Sequence, residues 1–181
     1  TYGFDVVAIM RPLDNLYINR FVVATRERRG LRLLDKKGAS AYAEEVLREG
    51  STLGFIADQN AGRKGMFVDF FGRKASTYKS IGLLAMRMEV PIIVGYARRV
   101  GDGFAYEVGV QRIIRPREWA DKDDPLRWIT QEYTSAIETV VRANPDQYLW
   151  IHQRWRSRPK GESATPASSA ATAVDPDGDL T

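Results

Sequence analysis

Cysteine is absent from the 181-residue sequence, and histidine occurs once, as His152. The first absence excludes disulfide bonds and thiolate metal sites, and the second leaves little basis for a zinc site, which needs several nitrogen or sulfur ligands. The sequence contains no apolar run near the roughly 20 residues that span a bilayer, and it shows no signal peptide. With 44% hydrophobic and 28% charged residues, the composition is that of an ordinary globular domain.

The net charge of +4 is unevenly distributed along the chain. Residues 157–181 hold two basic and four acidic side chains, which leaves 25 basic and 19 acidic side chains in residues 1–156. An excess of six positive charges favours anionic partners, such as phospholipid head groups, a phosphorylated lipid, an acidic carrier protein or nucleic acid. Charge alone is equally consistent with a solvated basic surface that has no partner.

Short apolar runs alternate with amphipathic segments along most of the chain. Apolar or alternating patterns predict strands over residues 4–10, 31–34, 52–57, 91–97 and 104–114, and helical spacing predicts helices over residues 13–29, 40–48, 77–88 and 125–143. The third helix is expected to use Thr77 as its N-cap. The alternation predicts an α/β fold with a mostly parallel central sheet flanked by helices and a hairpin near residues 91–114. Residues 1–156 would form a partial domain, and the Ser/Ala/Thr/Pro/Asp-rich residues 157–181 a disordered tail.

The pattern around Asp58 is the most informative in the sequence. An apolar strand runs into Asp58 and Gln59, and a glycine-rich turn with Arg63 and Lys64 follows. Open α/β sheets build their sites where strands deliver polar side chains to the carboxyl edge, next to loops. This pattern predicts a pocket for an anionic or acyl substrate. The alternative, an Asp that only caps a turn, carries equal weight at this level.

Two adjacent aromatic residues, Phe70 and Phe71, precede Gly72. In an extended chain they point to opposite faces, so one can pack in the core while the other lines a groove. An acyl chain needs such apolar walls. Two core phenylalanines before a turn glycine would give the same pattern, and composition favours that simpler interpretation.

Three arginines, Arg26, Arg28 and Arg29, lie at the expected end of the first helix. Basic side chains at that position complement the helix dipole, which is the simpler explanation. A clamp for a phosphate or carboxylate is the alternative. His152 has a side chain suited to general-base catalysis, but no orienting carboxylate follows at a fixed local spacing, which favours a structural role.

Four blocks of sequence, in order, resemble the late acyltransferases of lipid A biosynthesis, the lauroyl/myristoyl transferases of the glycerolipid acyltransferase-like superfamily. The blocks are Met10-Arg11-Pro12-Leu13-Asp14-Asn15 with Arg26 and Gly30, Asp58-Gln59 with Gly65, Phe70-Phe71-Gly72 with Ala75 and Thr77, and Trp150-Ile151-His152-Gln153-Arg154-Trp155. The strand that ends near Arg98 also fits the family pattern. The resemblance covers residues 4–159, and the order and spacing of the blocks make it specific.

The resemblance implies transfer of a fatty acyl group from an acyl-carrier-protein thioester to a hydroxyl of a phosphorylated glycolipid. In that family a His followed five positions later by Asp or Glu supplies the general base and its orienting carboxylate. Here Ser157 lies five positions after His152, so the pair does not match the motif. The family motif would lie upstream of Thr1. We therefore expect the sequence to be a fragment or processed form that lacks the general base and is inactive alone.

The resemblance also implies roles for individual side chains. Arg26 and Asp58 would support catalysis, by stabilising an oxyanion or phosphate and by positioning the catalytic His or the acceptor. The implied substrate-binding residues are Gln59, Arg63, Lys64, Phe70, Phe71, Gly72, Arg98, Arg154 and Trp155. Of these, Phe70 and Phe71 would border the acyl groove, Arg63 and Lys64 would contact phosphate or the carrier, and Arg154 and Trp155 would close the domain or meet the membrane.

The implied partners are the acyl-carrier protein, the phosphorylated glycolipid and a membrane surface, with no cofactor, no metal and no nucleic acid. The implied location is the cytoplasmic face of the bacterial inner membrane, peripheral or anchored through a preceding segment. Two alternatives remain: an acyltransferase of the same superfamily that acts on another glycolipid, and a non-catalytic module that binds anionic lipid or a carrier protein.

Overall fold

The computed structural model describes residues 5–10, 12–28, 30–35 and 39–161. The strands in these ranges are β1 (Val6–Met10), β2 (Arg32–Asp35), β3 (Thr52–Gly54), β4 (Met66–Phe70), β5 (Arg73–Thr77), β6 (Ile92–Val100) and β7 (Ala105–Ile114). The helices are α1 (Leu16–Glu27), α2 (Ala39–Arg48), α3 (Lys79–Met88), α4 (Pro116–Trp119) and α5 (Pro125–Ala143). Phe4, Arg11, Arg29 and the part of the expected tail after Gly161 lie outside the described residues.

A three-stranded parallel sheet with the order β2-β1-β3 organises the N-terminal half. Its central strand has the continuous apolar sequence that suits a parallel strand covered on both faces, and Val7 is fully buried. Helices α1 and α2 form the crossover connections between the parallel strands. The expected α/β fold with a parallel sheet flanked by helices is thus confirmed. All three strands end at the same edge of this sheet.

Two antiparallel hairpins follow, β4–β5 and β6–β7. The second spans the region expected to form a hairpin. The first was not predicted, because β5 is half polar in sequence. It turns through Phe71 and Gly72, whose φ angles of 54° and 71° are those of the two-residue turn that matches strand twist. A buried core joins α3, α4 and α5 to the β6–β7 hairpin through Ile81, Ala85, Val94, Ile114, Trp119, Ile129, Tyr133 and Ala136.

Several element boundaries differ from the sequence-based expectation. Thr77 does not cap α3; it ends β5, and Tyr78 occupies the N-cap position, where its side chain makes no capping hydrogen bond. Helix α1 begins after Asn15, whose side-chain oxygen accepts hydrogen bonds from the first helical turn at 3.0 and 3.1 Å. Strand β3 ends at Gly54, so the chain reaches Asp58 through an irregular segment instead of a continuous strand.

Side chains of α5 satisfy the outer edge of β4. Gln131 accepts a hydrogen bond from the Asp69 N–H at 2.8 Å and donates to the Asp69 carbonyl at 3.0 Å. Glu138 accepts from the Phe71 N–H at 2.7 Å. Asp69 and Phe71 are two positions apart in the hairpin, and Gln131 and Glu138 lie on the same face of α5. An edge strand that would otherwise present free backbone groups is therefore covered within the chain.

Replacing Gln131 with alanine is expected to destabilise the protein by about 1–2 kcal/mol, because two backbone groups lose their protein partner. The measurement is the free energy of unfolding from a urea titration. Gln111→Ala on β7 is the matched control, since Gln111 is exposed and no described residue bonds its side chain. Equal stability of the two variants would contradict a structural role for the Gln131 contacts.

Candidate substrate-binding site

The Asp58–Asn60 turn lies beyond the carboxyl edge of the parallel sheet. The chain leaves β3 at Gly54, and the half-buried Phe55 and Ala57 pack against the core before the turn begins. Arg26 lies at the same edge of the sheet, because its guanidinium donates to the sulfur of Met10, the last residue of β1, at 3.0 Å. The fold therefore brings the predicted carboxylate segment and the predicted arginine to one edge.

Three long-range hydrogen bonds hold this turn against the C-terminal segment. The Tyr148 hydroxyl donates to the Asp58 carbonyl at 3.2 Å, and the Asn60 N–H donates to Nε2 of His152 at 2.9 Å. The Asn60 side-chain amide donates to the Ser157 hydroxyl at 3.2 Å. We call these three contacts the latch. They fix the position of the turn through residues that lie 90 or more positions away in sequence.

The latch leaves the Asp58 carboxylate available to a ligand. Asn60, not Asp58, caps the turn, since its side-chain oxygen accepts from the Gly62 N–H at 3.3 Å. Within the described ranges, no residue donates a hydrogen bond to the Asp58 carboxylate. Burial raises the pKa of the neighbouring Tyr148 hydroxyl, and the negative charge of Asp58 raises it further. A half-buried carboxylate that accepts no hydrogen bond from the described residues is suited to position a substrate or a catalytic group.

Arg154 is the largest fully buried side chain among the residues that the structure describes, with 1% of its surface exposed. Its guanidinium donates to the Ser76 carbonyl at 2.5 Å and to the Thr77 hydroxyl at 2.6 Å, which ties the C-terminal segment to β5. Burial lowers its pKa, an effect opposed by Tyr148, Tyr133 and Asp58. Within the described residues no carboxylate oxygen lies within 4 Å of this guanidinium, and its Nε–H is buried without an acceptor.

An aromatic cluster connects the same segment to the β4–β5 hairpin. The Phe70 ring lies 4.8 Å from Phe71, 6.3 Å from Tyr148 and 5.7 Å from Trp155, measured between centroids. The Phe71 ring lies 5.8 Å from Trp150. These are favourable tilted or edge-to-face arrangements, and they hold Phe71 in its positive-φ turn. Phe70 is 1% exposed and Phe71 half-buried, so only Phe71 presents a ring to the surface.

Several other expected site residues make none of the latch contacts. Arg98 is on β6, where its guanidinium donates to Glu107 at 2.7 Å and thereby lowers the pKa of that carboxyl. Arg63 and Lys64 are exposed on a short 3-10 turn, Gly62–Lys64. Gln59 is also exposed. The structure therefore joins Asp58, Phe70, Phe71, Arg154 and Trp155 in one region and places Arg98 on a separate hairpin.

Sequence reasoning did not identify Asn60, Tyr148 or Ser157 as members of this site. The sequence pattern places Ser157 in the tail and singles out neither Asn60 nor Tyr148. No local pattern could have found them, because each contacts a residue far away in sequence. Within the described ranges, no group of three or more His, Cys, Asp and Glu side chains is arranged to hold a metal ion. No helix of the described residues is long and apolar enough to cross a membrane.

Comparison with known proteins finds a matching family model and similar curated proteins. Residues 2–157 match the family model described as bacterial lipid A biosynthesis acyltransferase. A lipid A biosynthesis lauroyltransferase of Escherichia coli K12 is 26% identical over 157 residues, which cover 86% of this chain and 50% of the relative. A lipid A biosynthesis acyltransferase of Haemophilus influenzae is 24% identical over 163 residues, 90% of this chain and 49% of the relative.

The lipid A biosynthesis palmitoleoyltransferase of E. coli K12 is 24% identical over 161 residues, which cover 88% of this chain and 51% of the relative. The chain thus spans about half the length of the curated relatives it matches. The matched span includes the Asp58–Asn60 turn, both hairpins and the C-terminal latch residues.

Proposed function

The chain belongs to the bacterial lipid A biosynthesis acyltransferase family, and we propose that its natural full-length protein transfers a fatty acyl group to a lipid A precursor. The donor in this proposal is an acyl-carrier-protein thioester. The acceptor hydroxyl attacks the thioester carbonyl, the new C–O ester bond forms, and the C–S bond breaks to release the carrier thiol. The family match over residues 2–157 is the observation that carries the proposal.

Residues 1–181 would provide the substrate-positioning part of the site. The Asp58 carboxylate, which accepts no hydrogen bond from the described residues, would accept one from the catalytic imidazole or from the acceptor. Arg26 would stabilise a phosphate or the developing oxyanion at the same sheet edge. Phe71 would present the apolar wall of the acyl groove, and the buried Phe70 would support it from behind.

The general base of this proposal lies outside residues 1–181. His152 is the only histidine, and its Nε2 accepts the Asn60 N–H, so its lone pair is engaged in the latch. Its Nδ1 would then carry the remaining proton. A general base needs a free lone pair directed at the acceptor hydroxyl and a group that orients the ring. His152 would instead hold the turn that positions Asp58.

The peripheral membrane location and the carrier-protein partner belong to the same proposal. An acceptor of this class is a lipid, so the enzyme must reach a membrane surface to bind it. The positive charge of residues 1–156 supports contact with an anionic membrane or an acidic carrier.

An acyl-transfer assay on two forms of the protein tests this proposal. The full-length protein should form an acylated lipid A precursor from acyl-carrier protein, identified by mass spectrometry. Purified residues 1–181 should form no product above background. Transfer by residues 1–181 that disappears in His152→Ala would refute the assignment of the base. Acylation of a different glycolipid, with no product from lipid A precursors, would refute the acceptor.

A further inference from the structure

A cleft of about 720 Å³ lies beside the latch and is lined by four basic side chains. Arg63 comes from the turn after Asn60, and Arg156, Arg158 and Lys160 come from the C-terminal segment. The two walls are joined by the hydrogen bond between Asn60 and Ser157. The cleft is therefore defined by the same contact that fixes the Asp58 turn.

Within the described ranges no carboxylate lines this cleft, and none of its four basic side chains forms an ion pair. Elsewhere in the described ranges, arginines form ion pairs with neighbouring acidic side chains. Arg98 pairs with Glu107 at 2.7 Å, and Arg142 pairs with Glu138 at 2.6 Å. Four like charges around one recess repel one another and raise the local concentration of anions. An anionic ligand would relieve that repulsion.

The neutral groups of the cleft also suit an oxyanion. The Ser157 hydroxyl oxygen accepts from Asn60, so its own O–H proton remains to be donated. Guanidinium groups can bind two oxygens of a phosphate side by side, and a doubly charged phosphate balances more positive charge than a carboxylate does. The recessed shape favours a compact group over the convex acidic surface of a protein.

We propose that this cleft binds a phosphate group, with Arg63 on one wall and Arg156, Arg158 and Lys160 on the other. The identification of this phosphate as part of an acceptor substrate rests on the proposed function. The binding of the phosphate itself does not. Because the cleft adjoins the latch, a bound phosphate would place the rest of its molecule near the Asp58 turn.

Calorimetric titration of the natural full-length protein with N-acetylglucosamine 1-phosphate tests the site, and unphosphorylated N-acetylglucosamine is the neutral probe. The wild-type protein should bind the phosphorylated sugar and show no binding of the neutral sugar. The double variant Arg156→Gln/Arg158→Gln should bind at least about tenfold more weakly, since charge-assisted hydrogen bonds are lost. Arg63→Gln, on the opposite wall, should also weaken binding.

The matched control is Arg117→Gln, which removes an exposed arginine from a different cleft. It should bind the phosphorylated sugar like the wild-type protein, and thermal unfolding should show that all variants are folded. Unchanged binding in the double variant and in Arg63→Gln would overturn the proposal, as would equal binding of the two sugars. Loss of acyl-carrier-protein binding without any binding of the sugar phosphate would assign the cleft to an acidic protein instead.

Acyl transfer separates this proposal from the proposed function. If both are correct, the double variant should raise the KM for a phosphorylated acceptor more than it lowers kcat. If the sugar phosphate binds as expected but the protein transfers no acyl group, the proposed function fails and the phosphate site stands.

Discussion

Replacing Arg154 with alanine is expected to lower the free energy of unfolding by about 3 kcal/mol or more. The side chain is 1% exposed and fills space beneath the aromatic cluster, with its guanidinium carbon 5.3 Å from the Phe70 ring centroid. Alanine would leave a cavity there. It would also remove the buried donors of the Ser76 carbonyl and the Thr77 hydroxyl, both on fully buried residues. Each of these losses is costly in a site that water cannot reach.

The variant Arg154→Lys separates the contribution of side-chain volume and charge from that of the two guanidinium hydrogen bonds. Arg154→Lys keeps the positive charge and most of the volume, but its single ammonium cannot reproduce the planar pair of donors. We expect a loss in stability between those of the wild type and Arg154→Ala. Chemical denaturation of the variants measures the differences. Arg87→Ala is the control, because Arg87 is 70% exposed and its ion pair with Glu44 contributes at most about 1 kcal/mol.

A loss below about 1 kcal/mol for Arg154→Ala would contradict the structural role given to this residue. It would mean that the C-terminal segment does not depend on the buried guanidinium for its attachment to β5.

Local patterns were sufficient to predict most of the fold. Helix α5 has its predicted bounds, because Pro125 begins it, an amphipathic repeat continues it, and Asn144-Pro145 ends it. The continuous apolar sequence of β1 is likewise a local pattern, and it predicted a buried strand. Strand β5 was missed because its burial comes from contacts with Arg154 and the turn at Ala61, which are distant in sequence.

The candidate site was predictable only in part. The motif at Asp58 indicated a functional turn, but sequence could not separate a free carboxylate from a turn cap. The structure separates them, because Asn60 makes the capping hydrogen bond. The latch could not be predicted, since its bonds join residues separated by 90 or more positions. Only the folded chain brings such residues together.

Replacing Asp58 with alanine is expected to lower acyl transfer by about a hundredfold or more in the natural full-length protein. In the proposed mechanism the carboxylate orients the catalytic imidazole or the acceptor, and that interaction must be maintained in the transition state. Stability should fall by less than in Arg154→Ala, because within the described part of the chain no hydrogen bond depends on the Asp58 side chain and only its attraction to the Arg154 charge is lost. The latch holds Asp58 through its backbone carbonyl, which alanine retains.

A matched carboxylate provides the control for this substitution. Asp69 lies on β4, where its side chain is 57% exposed and pairs with Lys74 at 2.9 Å. Asp69→Ala keeps the backbone groups that Gln131 binds, so the variant should fold and transfer acyl groups at nearly the wild-type rate. Both substitutions remove a carboxylate, but only Asp58→Ala removes one from the proposed site.

The initial rate of acyl transfer from acyl-carrier protein to a lipid A precursor, measured for wild type, Asp58→Ala and Asp69→Ala, is the most direct test of the proposed function. Thermal unfolding of the same samples establishes that each is folded. We predict a rate at least about a hundredfold lower for folded Asp58→Ala and a nearly unchanged rate for Asp69→Ala. Near-normal transfer by Asp58→Ala would contradict the proposal and would leave Asp58 as a residue of the turn alone.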